Sequence, residues 1–167
     1  LRLALRRLGQ DVALRRALGD RARQWWEQEH TVARMVDDYE RALEVNLRAP
    51  FFLCRAVARR LVARGRPGVL VNISSNAGKT ANLVTEYACS KAGVDALTRS
   101  LARHLGPHGI RVVAIAPGTI AGGLASHLKG ASKRRREADT FLGRLGEARE
   151  IAAMVGFVCS DAASFVN

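Results

Sequence analysis

Tyr87 and Lys91 stand four residues apart in "YACSK", a spacing that puts two side chains on one helical face. A phenol placed there can give a proton to an oxygen on which negative charge builds, provided its pKa is brought down from about 10. A lysine ammonium close by favours the phenolate and works in that direction. Two further polar residues fall at places that bear on such chemistry. Ser75 follows the apolar run "GVLVNIS", and Asn46 interrupts a helical stretch in which a short amide is a mediocre helix former. Each residue alone has a plainer reading. Asn46 can satisfy a buried backbone group, Ser75 can cap a turn, Tyr87 can be a half-buried core residue and Lys91 a solvated one. Only the elements that position them can decide.

The chain of 167 residues suffices for one domain with a core. Its 48% hydrophobic and 25% charged residues are ordinary for a globular protein, and no apolar run approaches the length of a membrane span. Cys54, Cys89 and Cys159 are scattered without a C-x-x-C pair, which argues against a disulfide framework or a zinc site and for a reducing, cytoplasmic setting. The formal charge of +12 invites a nucleic-acid reading. The excess is concentrated in the first thirty residues and in "KGASKRRRE" at 129–137, and Tyr and Phe do not interleave with either cluster as a single-strand-binding surface requires. Solvated arginines are the better reading, and nucleic acid is not expected as a partner.

Leu1, Leu5, Leu8 and Val12 fall at helical spacing among arginines, so the chain opens on an expected amphipathic helix. Trp25 and Trp26 are expected to cover a buried patch or to lie in unstructured chain, and residues 1–36 receive no function. From Asp37 or Asp38 the pattern predicts one long helix to about Gly65, bent or disturbed by Pro50 inside it. Residues 67–74 and 109–118 read as buried, β-branched strands, with a helix over 85–105 between them. A basic, glycine-containing loop is expected over roughly 119–146, then a last helix in "EAREIAAMVGFVCSD". Helices alternating with strands predict an α/β fold with a parallel sheet. Ligands of such sheets bind beyond the carboxyl ends of the strands, where Ser75 and the Pro117-Gly118 turn fall.

The ordered segments "LEVNLRAPFFLCRAV", "GVLVNISSNAG", "YACSKAGVDALTRSLARHL", "GIRVVAIAPGTI" and "LGRLGEAREIAAMVGFVCSD" together resemble the short-chain dehydrogenase/reductase family. The resemblance covers residues 37–167 and implies a partial Rossmann-like domain that uses NAD or NADP to interconvert a small carbonyl and an alcohol. Carried over residue by residue, the family's catalytic tetrad is Asn46, Ser75, Tyr87 and Lys91. Ser74 is the alternative serine, because the spacing from Ser75 to Tyr87 is one residue shorter than the family's. The resemblance gives Tyr87 the role of acid and Lys91 that of holding the nicotinamide ribose. It has Ser75 orient the substrate oxygen and Asn46 hold a water that links Lys91 to solvent. Pro117, Gly118 and Ile120 resemble the turn that contacts the nicotinamide carboxamide, and Gly122 stands where a cofactor-contacting threonine often follows. The family also implies a homodimer or homotetramer, and a substrate specificity set by residues 119–146. Its glycine-rich T-G-x-x-x-G-x-G turn has no counterpart in the first sixty residues, which hold only Gly9 and Gly19. The expectation is therefore a fragment carrying the catalytic half, inactive by itself. The competing class is a non-enzymatic module of the same ancestry that retains its helices for association.

Overall fold

The computed structural model describes residues 9–29, 31–80 and 84–167. Contacts divide the chain into two compact units, residues 1–40 and 41–167. In the first, helix α1 spans Val12–Glu29. Its start is held by Asp11, whose carboxylate accepts from the Leu14 N–H at 2.8 Å. Val12, Trp25 and Trp26 are exposed on it, while Leu1, Leu5 and Leu8 lie outside the described residues. Helix α2 spans Val32–Leu43, with the Thr31 hydroxyl accepting from the Arg34 N–H at 3.1 Å. The helix predicted from Asp37 therefore starts five residues earlier, because Thr31 supplies the cap that the acidic pair was expected to supply.

The predicted single helix is also interrupted. Glu44–Arg48 form a wide π turn, in which the Ala49 N–H reaches back to the Glu44 carbonyl. Helix α3 then runs Ala49–Ala63 with Pro50 in its first turn. The disturbance precedes the proline rather than lying at it, for a covalent reason. Pro50 has no N–H to return to the Asn46 carbonyl four residues back, so the regular pattern fails over the preceding turn.

Strands β1 (Gly68–Ile73) and β2 (Ile110–Ile115) pair in parallel with Gly68 opposite Ile110 and Ile73 opposite Ile115. Helix α4 (Thr85–Leu105) connects them. Gly109, at φ 70°, turns the chain from the end of α4 into β2, a backbone conformation that glycine adopts without strain. Cys54 and Ala58 from α3, Leu70 from β1, and Ile110 and Val112 from β2 form the buried core, with Leu61, Leu101 and Leu105 against it. The outer side of β2 meets the end of the chain. The Val112 N–H donates to the Asn167 side-chain oxygen at 2.7 Å, and the Arg111 guanidinium donates to the Val166 and Ser160 carbonyls.

Residues 119–146 depart from the expected loop. Ile120 and Gly146 pair as a parallel bridge, the Ala121 N–H donating to the Gly146 carbonyl at 2.8 Å and the Gly146 N–H to Thr119 at 3.0 Å. The segment is thus an excursion closed at its base, and it carries helix α5, Gly130–Ala138. Arg144 and Glu150 lock that base through a two-pronged pair at 2.8 and 2.6 Å. Glu150 also accepts from the Glu147 N–H at 2.8 Å, which opens helix α6, Ala148–Cys159. No helix among the described residues is long and apolar enough to cross a membrane.

Candidate active site

The ladder continues past the two strands. The Ser74 N–H donates to Ile115 O at 2.8 Å and the Asn76 N–H to Pro117 O at 3.0 Å. The loops that leave the carboxyl ends of β1 and β2 therefore stay together, and Pro117-Gly118 lies against the serine segment. A Cβ on Gly118 would be 3.7 Å from the Asn76 amide nitrogen.

Both candidate serines are buried, but they are used differently. The Ser74 hydroxyl donates to the Lys91 carbonyl at 3.2 Å, tying β1 to α4. The Ser75 oxygen accepts from the Ala77 N–H at 3.2 Å and caps the short turn Asn76–Gly78. Its own hydroxyl hydrogen is not used in that cap. Gly78 brings the turn against α4: a Cβ there would fall 2.7 Å from the Ala92 nitrogen and 2.9 Å from the Lys91 carbonyl carbon. Only a glycine permits that approach.

Tyr87 and Lys91 share one face of α4 as their spacing predicted. The Lys91 ammonium lies 5.7 Å from the Tyr87 ring centroid and donates to the Ile73 carbonyl at 2.9 Å. Burial pushes the lysine's pKa below its ordinary value, because the charged form loses solvent. Asn46 reaches the same helix: its amide donates to the Ser90 hydroxyl at 3.1 Å, which donates to the Tyr87 carbonyl at 2.8 Å. A cleft of about 370 Å³ beside β1 is lined by Asn46, Pro50, Cys54, Ile73 and Lys91, among others. Tyr87 and Ser75 lie outside that lining. The Ser75 hydroxyl, the Tyr87 phenol and the Lys91 ammonium are not hydrogen-bonded to one another. Ile120 lies at the base of the 119–146 excursion, packed over Gly146.

A polar link under the site escaped sequence reasoning. The Cys54 thiol donates to the Asn72 oxygen at 3.3 Å, and the Asn72 amide donates to the Thr98 hydroxyl at 2.9 Å. Thr98 in turn donates to the Val94 carbonyl at 2.8 Å. This chain of bonds joins α3, β1 and α4 inside the core. Burial raises the Cys54 pKa. The available signal was a lone amide in the apolar run "VLVNIS", since such a group needs a buried partner.

A family model described as enoyl-(acyl carrier protein) reductase matches residues 21–167. The chain belongs to the short-chain dehydrogenase/reductase family. Its α/β fold matches solved members over part of their length. Among the family's curated members, the chain is 38% identical over 132 residues to (3R)-3-hydroxyacyl-CoA dehydrogenase of Rattus norvegicus, covering 78% of this chain and 51% of that protein. Among solved structures of the family, 4-hydroxyisoleucine dehydrogenase complexed with NADH superposes with a TM-score of 0.76 at 29% identity. That match covers 82% of this chain and 56% of the other. A gluconate 5-dehydrogenase from Burkholderia cenocepacia J2315, in complex with NADP and tartrate, gives 0.74 at 32% identity over 78% and 52% of the two chains. The chain thus spans about half the length of the family members it matches.

Proposed function

We propose that residues 37–167 are the catalytic part of an NAD- or NADP-dependent oxidoreductase that interconverts a small carbonyl compound and an alcohol. The observation that carries this reading is that Ser75 and the Pro117-Gly118 turn follow the carboxyl ends of two parallel strands, that Lys91 reaches the last residue of the first strand, and that Asn46 is bonded into the Tyr87–Lys91 helix. Family membership gives that gathering its chemical sense. The nicotinamide, when bound, supplies or takes the hydride. Tyr87 gives the proton to the carbonyl oxygen or removes it from the alcohol. Lys91 favours the Tyr87 phenolate by its charge and holds the ribose. The spare hydrogen of Ser75 points the substrate oxygen. Asn46 has a main-chain carbonyl that Pro50 cannot cap, which suits it to hold a water on the path from Lys91 to solvent.

The fit to the cofactor is one-sided. Tyr87, Lys91, Pro117, Gly118 and Ile120 suit the nicotinamide end, where a close backbone approach matters. The pyrophosphate requires N–H groups of a glycine turn at a helix amino terminus, and the first sixty residues hold only Gly9 and Gly19. The chain by itself is therefore a fragment that binds the dinucleotide weakly and does not turn over. The exposed Phe51 and Phe52 of α3, stacked edge to face at 5.3 Å, support association into a homodimer or homotetramer. The same apolar face favours, as a second reading, a module that associates without catalysis.

The test is a chimera that joins this chain to the half of the rat dehydrogenase it does not match. Turnover of NADH or NADPH with a 3-oxoacyl thioester is expected, falling by about 10²–10⁴-fold in the Tyr87→Phe chimera, the usual contribution of a positioned acid. A Tyr87→Phe chimera that turns over normally overturns the proposed acid. A folded chimera inert in both forms favours the association module.

A further inference from the structure

Beyond the Ile120–Gly146 bridge, the excursion carries its charge on α5. Lys133, Arg134, Arg135 and Arg136 are consecutive on that helix, and Lys129 precedes it. At 3.6 residues per turn, four consecutive cations spread around the helix rather than along one face. Lys133 pairs with Glu137 at 3.6 Å. Among the described residues no ion pair holds Arg134, Arg135 or Arg136. From Lys129 to Leu142 the sequence has five cations against two carboxylates. No residue of this nine-residue helix is buried, and so short a helix is marginal in water with nothing to lie on.

An apolar tip follows the cluster directly. The Gly143 N–H donates to the Thr140 carbonyl at 2.9 Å, so Phe141 and Leu142 are the two corner residues of a tight turn. The turn is braced at both ends. The Thr140 hydroxyl lies 2.7 Å from the Glu137 carbonyl and 2.8 Å from the Arg144 carbonyl, and Arg144 is itself held by Glu150. Phe141 is fully exposed and Leu142 is 81% exposed. A single apolar side chain on a surface needs no account, but two adjacent ones on a fixed, protruding corner mark a contact. The Asp139 N–H still returns to the Arg135 carbonyl, so Arg134, Arg135 and Arg136 lie within about two helical turns of the tip, roughly 10 Å.

We propose that α5 and the Phe141–Leu142 turn dock the protein peripherally on an anionic lipid surface, with the arginines among the headgroups and the two apolar side chains inserted beneath them. This goes beyond the catalytic reading and does not rest on it. Two chemistries side by side choose the partner. A soluble polyanion neutralises Arg134, Arg135 and Arg136 but leaves Phe141 and Leu142 in water. An apolar groove takes the tip and leaves the cations without counter-charge. The boundary of an anionic bilayer supplies both, headgroup charge outside and hydrocarbon within. The geometry agrees. Cations spread around a helix match a continuous layer of charge rather than one discrete anion, and a convex tip enters a fluid phase without a preformed pocket. Arginine stems are long enough to keep their charge at the headgroups while the tip goes deeper. Neither feature anchors alone, since stable attachment to a bilayer surface takes two signals.

Vesicle flotation of the 167-residue chain tests this without cofactor or substrate. The vesicles hold about two parts phosphatidylcholine to one part phosphatidylserine, with phosphatidylcholine alone as the comparison. The chain is expected to float with the first and not with the second. Phe141→Ser with Leu142→Ser should weaken the partition about 100-fold, about 10-fold for each apolar side chain withdrawn. Arg134→Gln, Arg135→Gln and Arg136→Gln together should also weaken it about 100-fold. Arg59, Arg60 and Arg64 of α3 sit at the other end of the sheet, where Leu61 packs over Gly68. Replacing those three by glutamine should change the partition by less than about 3-fold, because they lie beyond the reach of unscreened charge. An equal loss there, or full binding by the double serine variant, means that a chain of charge +12 adsorbs by charge alone, and overturns the proposal. A fluorophore on Leu142→Cys, with Cys89 and Cys159 replaced by serine and only the buried Cys54 left, reads the tip directly. Its emission should shift to the blue on the anionic vesicles. An unmoved emission on a bound chain refutes the insertion. A blue shift that grows with chain concentration in the absence of vesicles means that a second copy covers the tip, and overturns the proposal as well.

Discussion

Replacing Gly78 by alanine adds one methyl group where the turn bearing Ser75 meets α4. The new carbon would stand 2.7 Å from the Ala92 nitrogen, 2.9 Å from the Lys91 carbonyl carbon and 3.2 Å from the Ala92 Cα. Comfortable contact begins near 3.4–3.5 Å, so the turn must retreat by roughly 0.7 Å. The three atoms are backbone of a 21-residue helix packed on β2, so the helix does not yield and the turn does. The 3.2 Å bond from Ser74 to the Lys91 carbonyl lengthens with it. Overpacking of this kind costs about 1–3 kcal/mol. For a chain of this size each kcal/mol lowers Tm by roughly 2–4 °C, so a drop of about 2–12 °C is expected by circular dichroism. Gly118→Ala is the control: its nearest neighbour would be 3.7 Å away, an ordinary contact, and its effect should stay within about 0.5 kcal/mol. A Gly78→Ala protein that melts with the unmodified chain refutes the close approach. So does a Gly118→Ala protein that loses as much.

Asn72→Val removes the amide that links Cys54 to Thr98. A loss of about 1–3 kcal/mol in urea unfolding is expected, as for a buried polar group left without its partner. The clasp at the base of residues 119–146 should respond to acid. The Arg144 guanidinium and the Glu147 N–H bring Glu150 from its ordinary 4.5 to about 2. A depressed carboxylate pKa stabilises the folded clasp above the unfolded value and loses that contribution as pH falls through the folded one. The Ala121 and Gly146 amide signals should therefore move between about pH 4.5 and 2, and not above. In Glu150→Gln that movement should vanish.

The sequence by itself determined the elements and their order. β-branched runs at 67–74 and 109–118, with a helical pattern between them, specify two parallel strands and their crossover, since alternation and spacing are local properties. It also placed Tyr87 and Lys91 on one face, because a helix repeats every 3.6 residues regardless of what packs on it. The irregularity near Pro50 was legible as chemistry, a missing N–H, but its position was not. The π turn at 44–48 is settled by which wider bond Ala49 finds once the regular one fails. Tertiary structure alone decided what each polar group bonds. Asn46 bonds Ser90, 44 residues along the chain; Asn72 lies between Cys54 and Thr98; and Ser74 and Ser75, adjacent and alike in sequence, take a helix carbonyl and a turn cap. Residues 119–146 read as a loop because the clasp between Ile120 and Gly146 joins positions 26 residues apart, beyond any local pattern. Lys91 shows the limit most clearly. Its place on α4 follows from spacing, yet its hold on the Ile73 carbonyl depends on how β1 comes to lie beside α4, and only the tertiary structure decides that.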